Sequence, residues 1–190
     1  MNFTDLNLIC WATFGLVWIV GSLYNFFNSP RTARHRARYD WLILGAVVWV
    51  VMHFLPHRYL DSARFHADWL QWIGTILLVA STLYTLWSRW ILGRMWATNA
   101  AVKEGHQLVT KGPYQITRHP IYSGILGMVL GSTLSLGQGS SFFLFLIVLL
   151  CFINRIRNEE QLMVMTFGEE YIQYKERVPR LMPGFKLKSK

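Results

Sequence analysis

Long apolar runs separated by short charged segments dominate the hydrophobic pattern of this chain. The runs cover residues 6–27, 41–55, 69–92, 121–136 and 142–153. A helix needs about 20 apolar residues to cross a hydrocarbon layer of roughly 30 Å, and the first and third runs reach that length. The pattern therefore predicts an all-α, polytopic membrane protein with five transmembrane helices. Because the first run lacks the basic segment and cleavage site of a secretory signal, we expect it to stay attached as a helix.

The fourth and fifth runs are predicted to form an antiparallel helical hairpin. They are separated only by residues 137–141, whose sequence Gly-Gln-Gly-Ser-Ser favours a tight turn. Within the fourth run, Gly124, Gly127 and Gly131 recur at spacings of three and four residues. Small residues at these positions permit close helix packing, either within the chain or between chains.

After residue 166 the chain becomes polar, and its apolar side chains recur three or four positions apart. These side chains are Phe167, Tyr171, Tyr174 and Val178. The spacing places them on one face of a helix, so we expect a C-terminal amphipathic helix that ends near Pro179. Such a helix either caps the bundle or lies on lipid headgroups.

Basic residues lie between the apolar runs and form no continuous stripe along the chain. The protein has 190 residues, of which 53% are hydrophobic, and a formal net charge of +9. Because no nucleic-acid-binding motif accompanies the Lys and Arg residues, we expect the lipid bilayer as a partner and no nucleic acid. The links after the first, third and fifth runs are the most basic. With five spans, this distribution places the N terminus outside and the C terminus in the cytoplasm.

The length and pattern indicate one membrane domain over residues 1–190. Residues 1–95 hold the first three predicted helices, and residues 96–190 hold the hairpin, the amphipathic helix and the candidate site. Cys10 and Cys151 lie inside apolar runs, with no His or Cys at the spacing of metal ligands. We interpret them as small buried hydrophobic residues and predict neither a disulfide nor a metal site.

Two polar segments interrupt the apolar C-terminal half, and the hairpin is expected to bring them together. Arg155 and Glu159 are four residues apart, on one face of the fifth helix. At a rise of about 1.5 Å per residue, they lie roughly 20 and 25 Å from the start of that helix, within or at the edge of the bilayer. Unpaired charge is costly there, so these side chains pair with each other or hold a polar ligand.

The start of the fourth helix should lie beside this pair. Pro120 suits the first turn of a helix, which puts Arg118 and His119 at its N terminus. The exposed N–H donors of a helix N terminus attract carboxylates and phosphates. We therefore expect the candidate site on the cytoplasmic side, between the start of the fourth helix and the end of the fifth.

The residues around this point offer complementary chemistry for one ligand. Glu159 suits an ammonium or sulfonium group, the rings of Tyr114 and Tyr122 suit a cation, and Leu108 and Val109 suit a flat base. S-adenosylmethionine carries a carboxylate, an ammonium, a sulfonium and an adenine. The match predicts a cytoplasmic pocket for this cofactor.

Several motifs in this half occur in order and at fitting spacing. The chain resembles the isoprenylcysteine carboxyl methyltransferase family of integral membrane enzymes over residues 96–190, whereas the first three runs resemble it only in hydropathy. The motifs that carry the resemblance are Gly112-Pro-Tyr114, Arg118-His119-Pro120-x-Tyr122, Arg155-x-Arg157-x-Glu159-Glu160 and Phe167-Gly-Glu-Glu-Tyr171-x-x-Tyr174-x-x-x-Val178-Pro179.

The resemblance implies S-adenosylmethionine as the cofactor and S-adenosylhomocysteine as the product. It implies that Arg155, Glu159 and His119 are catalytic, and that Arg155 lies towards the methyl acceptor and orients a carboxylate. Because sequence alone does not fix the rotation of the helix, Glu160 is an alternative to Glu159. The implied cofactor contacts are His106, Gln107, Leu108, Val109, Tyr114, His119, Tyr122 and Glu159, with Asn99 as a weaker candidate outside the clear motifs.

The expected reaction is methyl transfer to a lipophilic acceptor within the membrane, with the α-carboxylate of a prenylated cysteine as the favoured acceptor. A carboxylate is a nucleophile without a base, whereas a thiol has to lose its proton, for which His119 is the nearest candidate. Methylation of a small thiol or a lipid amine is therefore an alternative. An NADPH-dependent membrane reductase and a non-enzymatic membrane protein are two further alternatives.

Overall fold

Helices make up most of the computed structural model, which describes residues 2–28, 32–35, 67–93, 101–103, 107–139 and 141–182. The helices are α1 (Phe3–Asn28), α2 (Asp68–Leu92), α3 (Pro113–Ile116), α4 (Pro120–Ser135), α5 (Ser141–Phe167) and α6 (Glu169–Arg177). Two short strands, β1 (Thr32–His35) and β2 (Ala101–Lys103), pair antiparallel. The prediction of a helical protein is confirmed, and the strand pair is an addition that the sequence did not predict.

Three of these helices are long and apolar enough to cross a membrane: α1, α2 and α5. The α4 helix is apolar but shorter, at 16 residues. The chain is therefore an integral membrane protein. The predicted span at residues 41–55 lies outside the described residues. The described helices begin and end close to the apolar runs, except that α5 continues well beyond residue 153 and keeps the charged segment helical.

The closest helix packing joins α2 to α4 through glycine. A Cβ atom on Gly131 would lie 2.6 Å from the backbone nitrogen of Leu78 and 2.8 Å from the carbonyl oxygen of Gly74. Gly124 and Gly127 pack in the same way against Thr85 and Ser81, respectively. Because the facing atoms include backbone, only glycine permits this approach at Gly131. Of the two expectations for these glycines, packing within the chain is confirmed.

Hydrogen bonds between side chains join α1, α2 and α4 at the end where α4 terminates. Asn7 Nδ2 donates to Ser135 Oγ at 3.0 Å, and Thr75 Oγ1 lies 2.8 Å from the same oxygen. Trp11 Nε1 donates to Ser132 Oγ at 2.9 Å. Polar groups among apolar helices need such partners, so these bonds fix the register of the three helices at this end.

The α4–α5 hairpin is confirmed. Gly137, with φ at +64°, begins the turn, and the N–H of Gln138 donates to the carbonyl oxygen of Thr133. A buried apolar cluster then fills the space between the two helices. It consists of Tyr122, Ile125, Leu126, Val148, Phe152 and Ile156. The antiparallel arrangement places the start of α4 beside the charged part of α5.

The two cysteines are free, with Cys10 buried and Cys151 partly buried. No group of three or more His, Cys, Asp and Glu side chains suited to a metal ion is found in the part of the chain that the structure describes.

Candidate active site

Three polar groups from α4 and α5 form a compact triad inside the bundle. The Tyr122 hydroxyl donates to Glu159 Oε1 at 2.6 Å and accepts from Arg155 Nε, also at 2.6 Å. Arg155 Nε donates in addition to Glu159 Oε1 at 3.1 Å. Arg155 is 6% exposed. The i, i+4 pair that the sequence predicts is therefore present, and a tyrosine from the facing helix completes it.

His119 lies beside this triad. Its ring stacks on the ring of Tyr122, with centroids 5.8 Å apart, and Phe152 packs on the Tyr122 ring at 4.7 Å. His119 Nδ1 lies 3.8 Å from Glu159 Oε2, and Nε2 lies 3.5 Å from Glu160 Oε1. Nε2 is buried, and it makes no hydrogen bond within the described part of the chain. The imidazole therefore stands between the two adjacent carboxylates.

Glu160 has a different environment from Glu159. Arg118 donates to Glu160 Oε1 through Nη2 at 2.7 Å and Nε at 2.9 Å, and Arg180 Nη2 donates to Oε2 at 2.8 Å. Lys175 Nζ lies 4.0 Å from Oε2. The side chain is only 5% exposed. We call Glu160, Arg118 and Arg180 the Glu160 cluster. Buried charges need partners of this kind, and the two arginines compensate the buried charge of the Glu160 carboxylate.

The C-terminal strap, which we define as residues 178–182, lies across the start of α4. The backbone N–H of Arg118 donates to the carbonyl oxygen of Pro179 at 2.8 Å, and that of His119 to Arg180 at 3.1 Å. Ser123 Oγ donates to the carbonyl oxygen of Leu181 at 2.6 Å. The expectation that Arg118 and His119 have exposed backbone donors is wrong, because the strap accepts both hydrogen bonds.

The amphipathic helix α6 caps the bundle and buries its apolar face against the protein. Tyr171 and Tyr174 are buried, and the Tyr174 hydroxyl donates to the carbonyl oxygen of Tyr114 at 2.6 Å. Burial, followed by the nearby Tyr174 and Glu159, holds the pKa of the Tyr114 hydroxyl well above its ordinary value. Tyr114 is therefore neutral at physiological pH.

The structure brings together His119, Tyr122, Arg155 and Glu159, and the Tyr114 hydroxyl lies close enough to the Glu159 carboxylate to interact with its charge. The predicted cofactor contacts Gln107, Leu108 and Val109 lie in the irregular segment just before α3, where Gln107 is exposed and the other two are partly buried. His106 and Asn99 lie outside the described residues. The roles assigned to all these residues stay predictions.

Sequence reasoning missed the Glu160 cluster and left Arg89 unassigned. Arg89 is buried near the end of α2, where Nη1 donates to the carbonyl oxygen of Gly93 at 3.1 Å. Its guanidinium packs against Gly21 of α1, where a Cβ atom would lie 2.7 Å from Nη2. An arginine inside an apolar run was the available signal, but only the fold shows that it bridges two helices.

The arrangement fits a ligand with an ammonium or sulfonium group near Glu159. Glu159 Oε1 is engaged by Tyr122 and Arg155, whereas Oε2 has no partner closer than His119 Nδ1 among the described residues. The Glu159 side chain is 19% exposed, compared with 5% for Glu160. Of the two adjacent glutamates, Glu159 is the one with an oxygen available to a ligand.

Comparison with known proteins decides the family. Residues 69–170, more than half of the chain, match the family model described as phospholipid methyltransferase. The chain belongs to the phospholipid methyltransferase family. The match begins in α2 and ends in α6, so it includes every residue of the triad. This family membership and the relatives described next confirm the resemblance to isoprenylcysteine carboxyl methyltransferases.

Two curated relatives of this phospholipid methyltransferase family member share the name protein-S-isoprenylcysteine O-methyltransferase. Protein-S-isoprenylcysteine O-methyltransferase B of Arabidopsis thaliana is 42% identical over 82 residues, which cover 43% of this chain and 42% of that protein. The Xenopus laevis protein-S-isoprenylcysteine O-methyltransferase is 27% identical over 195 residues, which cover 93% of this chain and 66% of that protein. The chain thus spans less than half of the first relative and just under two thirds of the second.

A solved structure shares the fold of this family member. The eukaryotic intramembrane Ras methyltransferase ICMT (isoprenylcysteine carboxyl methyltransferase) superposes with a TM-score of 0.59 at 23% sequence identity. The superposition covers 80% of this chain and 55% of that one. At this identity the likeness establishes a shared membrane fold.

Proposed function

We propose that the protein transfers a methyl group from S-adenosylmethionine to the α-carboxylate of a prenylated cysteine within the membrane. The names of the curated relatives support this acceptor, and the family supports a methyl donor. The observation that carries the proposal is the triad. It holds a buried arginine and a partly accessible carboxylate on one turn of a membrane-spanning helix.

The cofactor, when bound, supplies a methyl carbon that its sulfonium already activates. The protein contributes alignment, exclusion of water and placement of charge. In this proposal Glu159 Oε2 binds a cationic group of the cofactor, and Tyr114 and His119, whose Nδ1 lies 3.8 Å from Oε2, are further cofactor contacts. In this proposal Arg155 orients an anionic acceptor. A carboxylate acceptor needs no general base, so the reaction does not require a proton transfer to His119.

The proposed topology places the N terminus outside and the site and C terminus in the cytoplasm. Asn7 of α1 lies near Thr75 of α2, and Asn25 of α1 lies near Gly93, just after α2. The two helices therefore run in the same direction. A chain that leaves α1 at one end of the bundle and enters α2 at the other supports a further crossing between them, as the run at residues 41–55 predicts.

A second candidate is N-methylation of a lipid amine, which the name of the matching family favours. It shares the cofactor and the membrane setting and differs in the acceptor. In that reaction the amine of the lipid headgroup would lie at Glu159, and its phosphate would lie at Arg155. The same family match favours a methyltransferase over a nicotinamide-dependent reductase.

One experiment tests these proposals together. The purified protein in lipid nanodiscs is incubated with S-adenosylmethionine labelled on the methyl group and with a farnesylated cysteine, a small thiol or phosphatidylethanolamine. Label in the farnesylated cysteine, as a base-labile ester, is the expected result. Label only in the phospholipid would establish the second candidate. Stabilisation against heat by NADPH, with none by S-adenosylmethionine, would refute a methyltransferase.

A further inference from the structure

The hydroxyl of Tyr122 occupies the centre of the triad. It lies 2.6 Å from Glu159 Oε1 and 2.6 Å from Arg155 Nε, and it is the point of contact between α4 and these two residues of α5. The residue is buried, and its ring is packed between His119 and Phe152. The donor of the hydroxyl and one of its two acceptor lone pairs are therefore used inside the protein.

This geometry differs from the role that motif position implies for Tyr122. A hydroxyl that already donates to a carboxylate and accepts from a guanidinium has no donor and only one acceptor lone pair left for a cofactor. Its bonds hold Glu159 Oε1 on the Tyr122 side. The other carboxylate oxygen, Oε2, consequently points towards His119, where it has no close partner among the described residues.

The same hydroxyl also fixes Arg155. Arg155 Nε donates to Tyr122 and to Glu159 at once, so the guanidinium plane is set by two bonds on one side. Without the hydroxyl, the direct hydrogen bond between Arg155 Nε and Glu159 Oε1, which is 3.1 Å long here, would no longer be shared with a third group. A tighter direct ion pair would then draw each charge away from an incoming ligand, because attraction between opposite charges grows steeply in a medium of low dielectric constant.

We propose that Tyr122 is a positioning residue. Its hydroxyl bridges Arg155 Nε and Glu159 Oε1 and holds both side chains in the orientations in which Arg155 serves the acceptor and Glu159 serves the cofactor. This inference rests on the proposed function. It assigns to one hydrogen-bonding group an influence on both ligands, although that group touches neither. The ring of Tyr122 serves mainly to hold the hydroxyl in place.

The variant Tyr122→Phe removes the hydroxyl and keeps the ring. We expect a folded protein in which kcat/KM for a farnesylated cysteine falls on the order of 10- to 100-fold, as misplacement of reacting groups typically causes. Binding of S-adenosylmethionine and of S-adenosylhomocysteine, measured by calorimetry without acceptor, should weaken about tenfold. The KM for the acceptor should rise as well, because Arg155 Nε loses its 2.6 Å hydrogen bond to the hydroxyl.

A double-mutant cycle separates positioning from other roles. In a Glu159→Gln background, Tyr122→Phe should weaken cofactor binding by far less than in the wild type, because both changes act on one carboxylate. The matched control is Tyr84→Phe, which removes a partly buried tyrosine hydroxyl with longer contacts to Pro113 and Thr117 outside the triad. The control should keep wild-type binding and kcat.

Several outcomes would overturn the inference. If Tyr122→Phe binds the cofactor and turns over like the wild type, while Tyr122→Leu does not, the ring contacts the ligand and the hydroxyl is not needed. If the losses simply add in the cycle, Tyr122 and Glu159 act independently. If the wild type itself binds no S-adenosylmethionine, the proposed function fails and this inference fails with it.

A second variant covers the case in which Tyr122→Phe does not fold. Glu159→Asp keeps the charge but shortens the side chain by one methylene, which takes the carboxylate out of reach of the Tyr122 hydroxyl. The expected result is the same loss of cofactor binding and the same rise in the acceptor KM. Wild-type values for Glu159→Asp would refute the positioning role.

Discussion

Replacement of Glu160 by glutamine tests whether the two adjacent glutamates have different tasks. Glutamine is nearly isosteric with glutamate, so Glu160→Gln removes a charge and leaves the shape of the side chain. The Glu160 cluster then contains Arg118 and Arg180 with no carboxylate between them. One amide oxygen remains as an acceptor, whereas the amide nitrogen faces cationic donors and repels them.

The size of the effect follows from burial. Removal of one partner from a buried ion pair costs about 3–5 kcal/mol, because the remaining charge stays buried without compensation. The Arg118 side chain is 7% exposed, whereas Arg180 is 19% exposed and regains some water. We therefore expect the lower end of the range, about 3 kcal/mol. For a chain of this length, that loss lowers the melting temperature by about 6–12 °C.

Glu159→Gln provides the matched comparison on the next residue. Its amide oxygen can still accept from Tyr122 and Arg155, and the side chain is partly exposed. The loss of stability should be about 1 kcal/mol, or roughly 2–4 °C. The loss of a negative charge next to the cofactor should instead weaken S-adenosylmethionine binding at least tenfold, because a charge-assisted hydrogen bond contributes about 1.5–3 kcal/mol.

The assay measures both quantities on both variants. Thermal unfolding in detergent, followed by tryptophan fluorescence, gives the melting temperatures, and calorimetry at 10 °C gives cofactor affinity while every variant is folded. The reasoning is refuted if Glu160→Gln melts within 2 °C of the wild type, or if it weakens cofactor binding more than Glu159→Gln does. Destabilisation by Glu159→Gln with unchanged cofactor affinity would favour a purely structural role for the triad.

Three further predictions concern the rest of the site and the helix packing. Arg155→Lys, which keeps the charge and loses the planar guanidinium, should raise KM for a carboxylate acceptor about tenfold or more and leave cofactor affinity within threefold, as steady-state kinetics and calorimetry would show. Arg118→Lys should lower stability by about 2 kcal/mol, seen in the same thermal unfolding assay, because a lysine cannot reproduce the forked contacts to Glu160, to α6 and to the strap. Gly131→Ala should cost about 1–3 kcal/mol, because its Cβ would meet backbone, whereas Gly15→Ala on the open face of α1 should be neutral or stabilising. Equal melting temperatures for the two alanine variants would contradict the close α2–α4 packing.

Local features of the sequence were enough to place α1, α2, α4 and α5 and to pair Arg155 with Glu159. Apolar runs of the right length indicate spans, because a bilayer leaves a helix as almost the only way to satisfy the backbone. The pairing is equally local, since residues four apart on a helix are neighbours. The glycine spacing in α4 likewise indicated close packing, although it did not say which helix would be the partner.

The distinction between Glu159 and Glu160 could not be read from the sequence. Adjacent residues on a helix point about 100° apart, and the rotation of α5 about its axis decides which one faces a ligand. That rotation is set by residues distant in the chain. Tyr122 on α4 forms a hydrogen bond with Glu159, and Arg118 and Arg180 form ion pairs with Glu160.

The sequence by itself determined a membrane-embedded helical protein with a charged pair in the last part of its last long helix. It could do so because the length of an apolar run and the spacing of residues on a helix are local properties of the chain. Only the tertiary structure decided that the strap accepts hydrogen bonds from the backbone N–H groups at the start of α4, and that α2 packs closely on α4. It also decided that Glu160 is structural while the neighbouring Glu159 stays accessible. These outcomes depend on which side chains from separate segments meet in a low-dielectric interior, where each charge and each hydrogen-bonding group must find its partner.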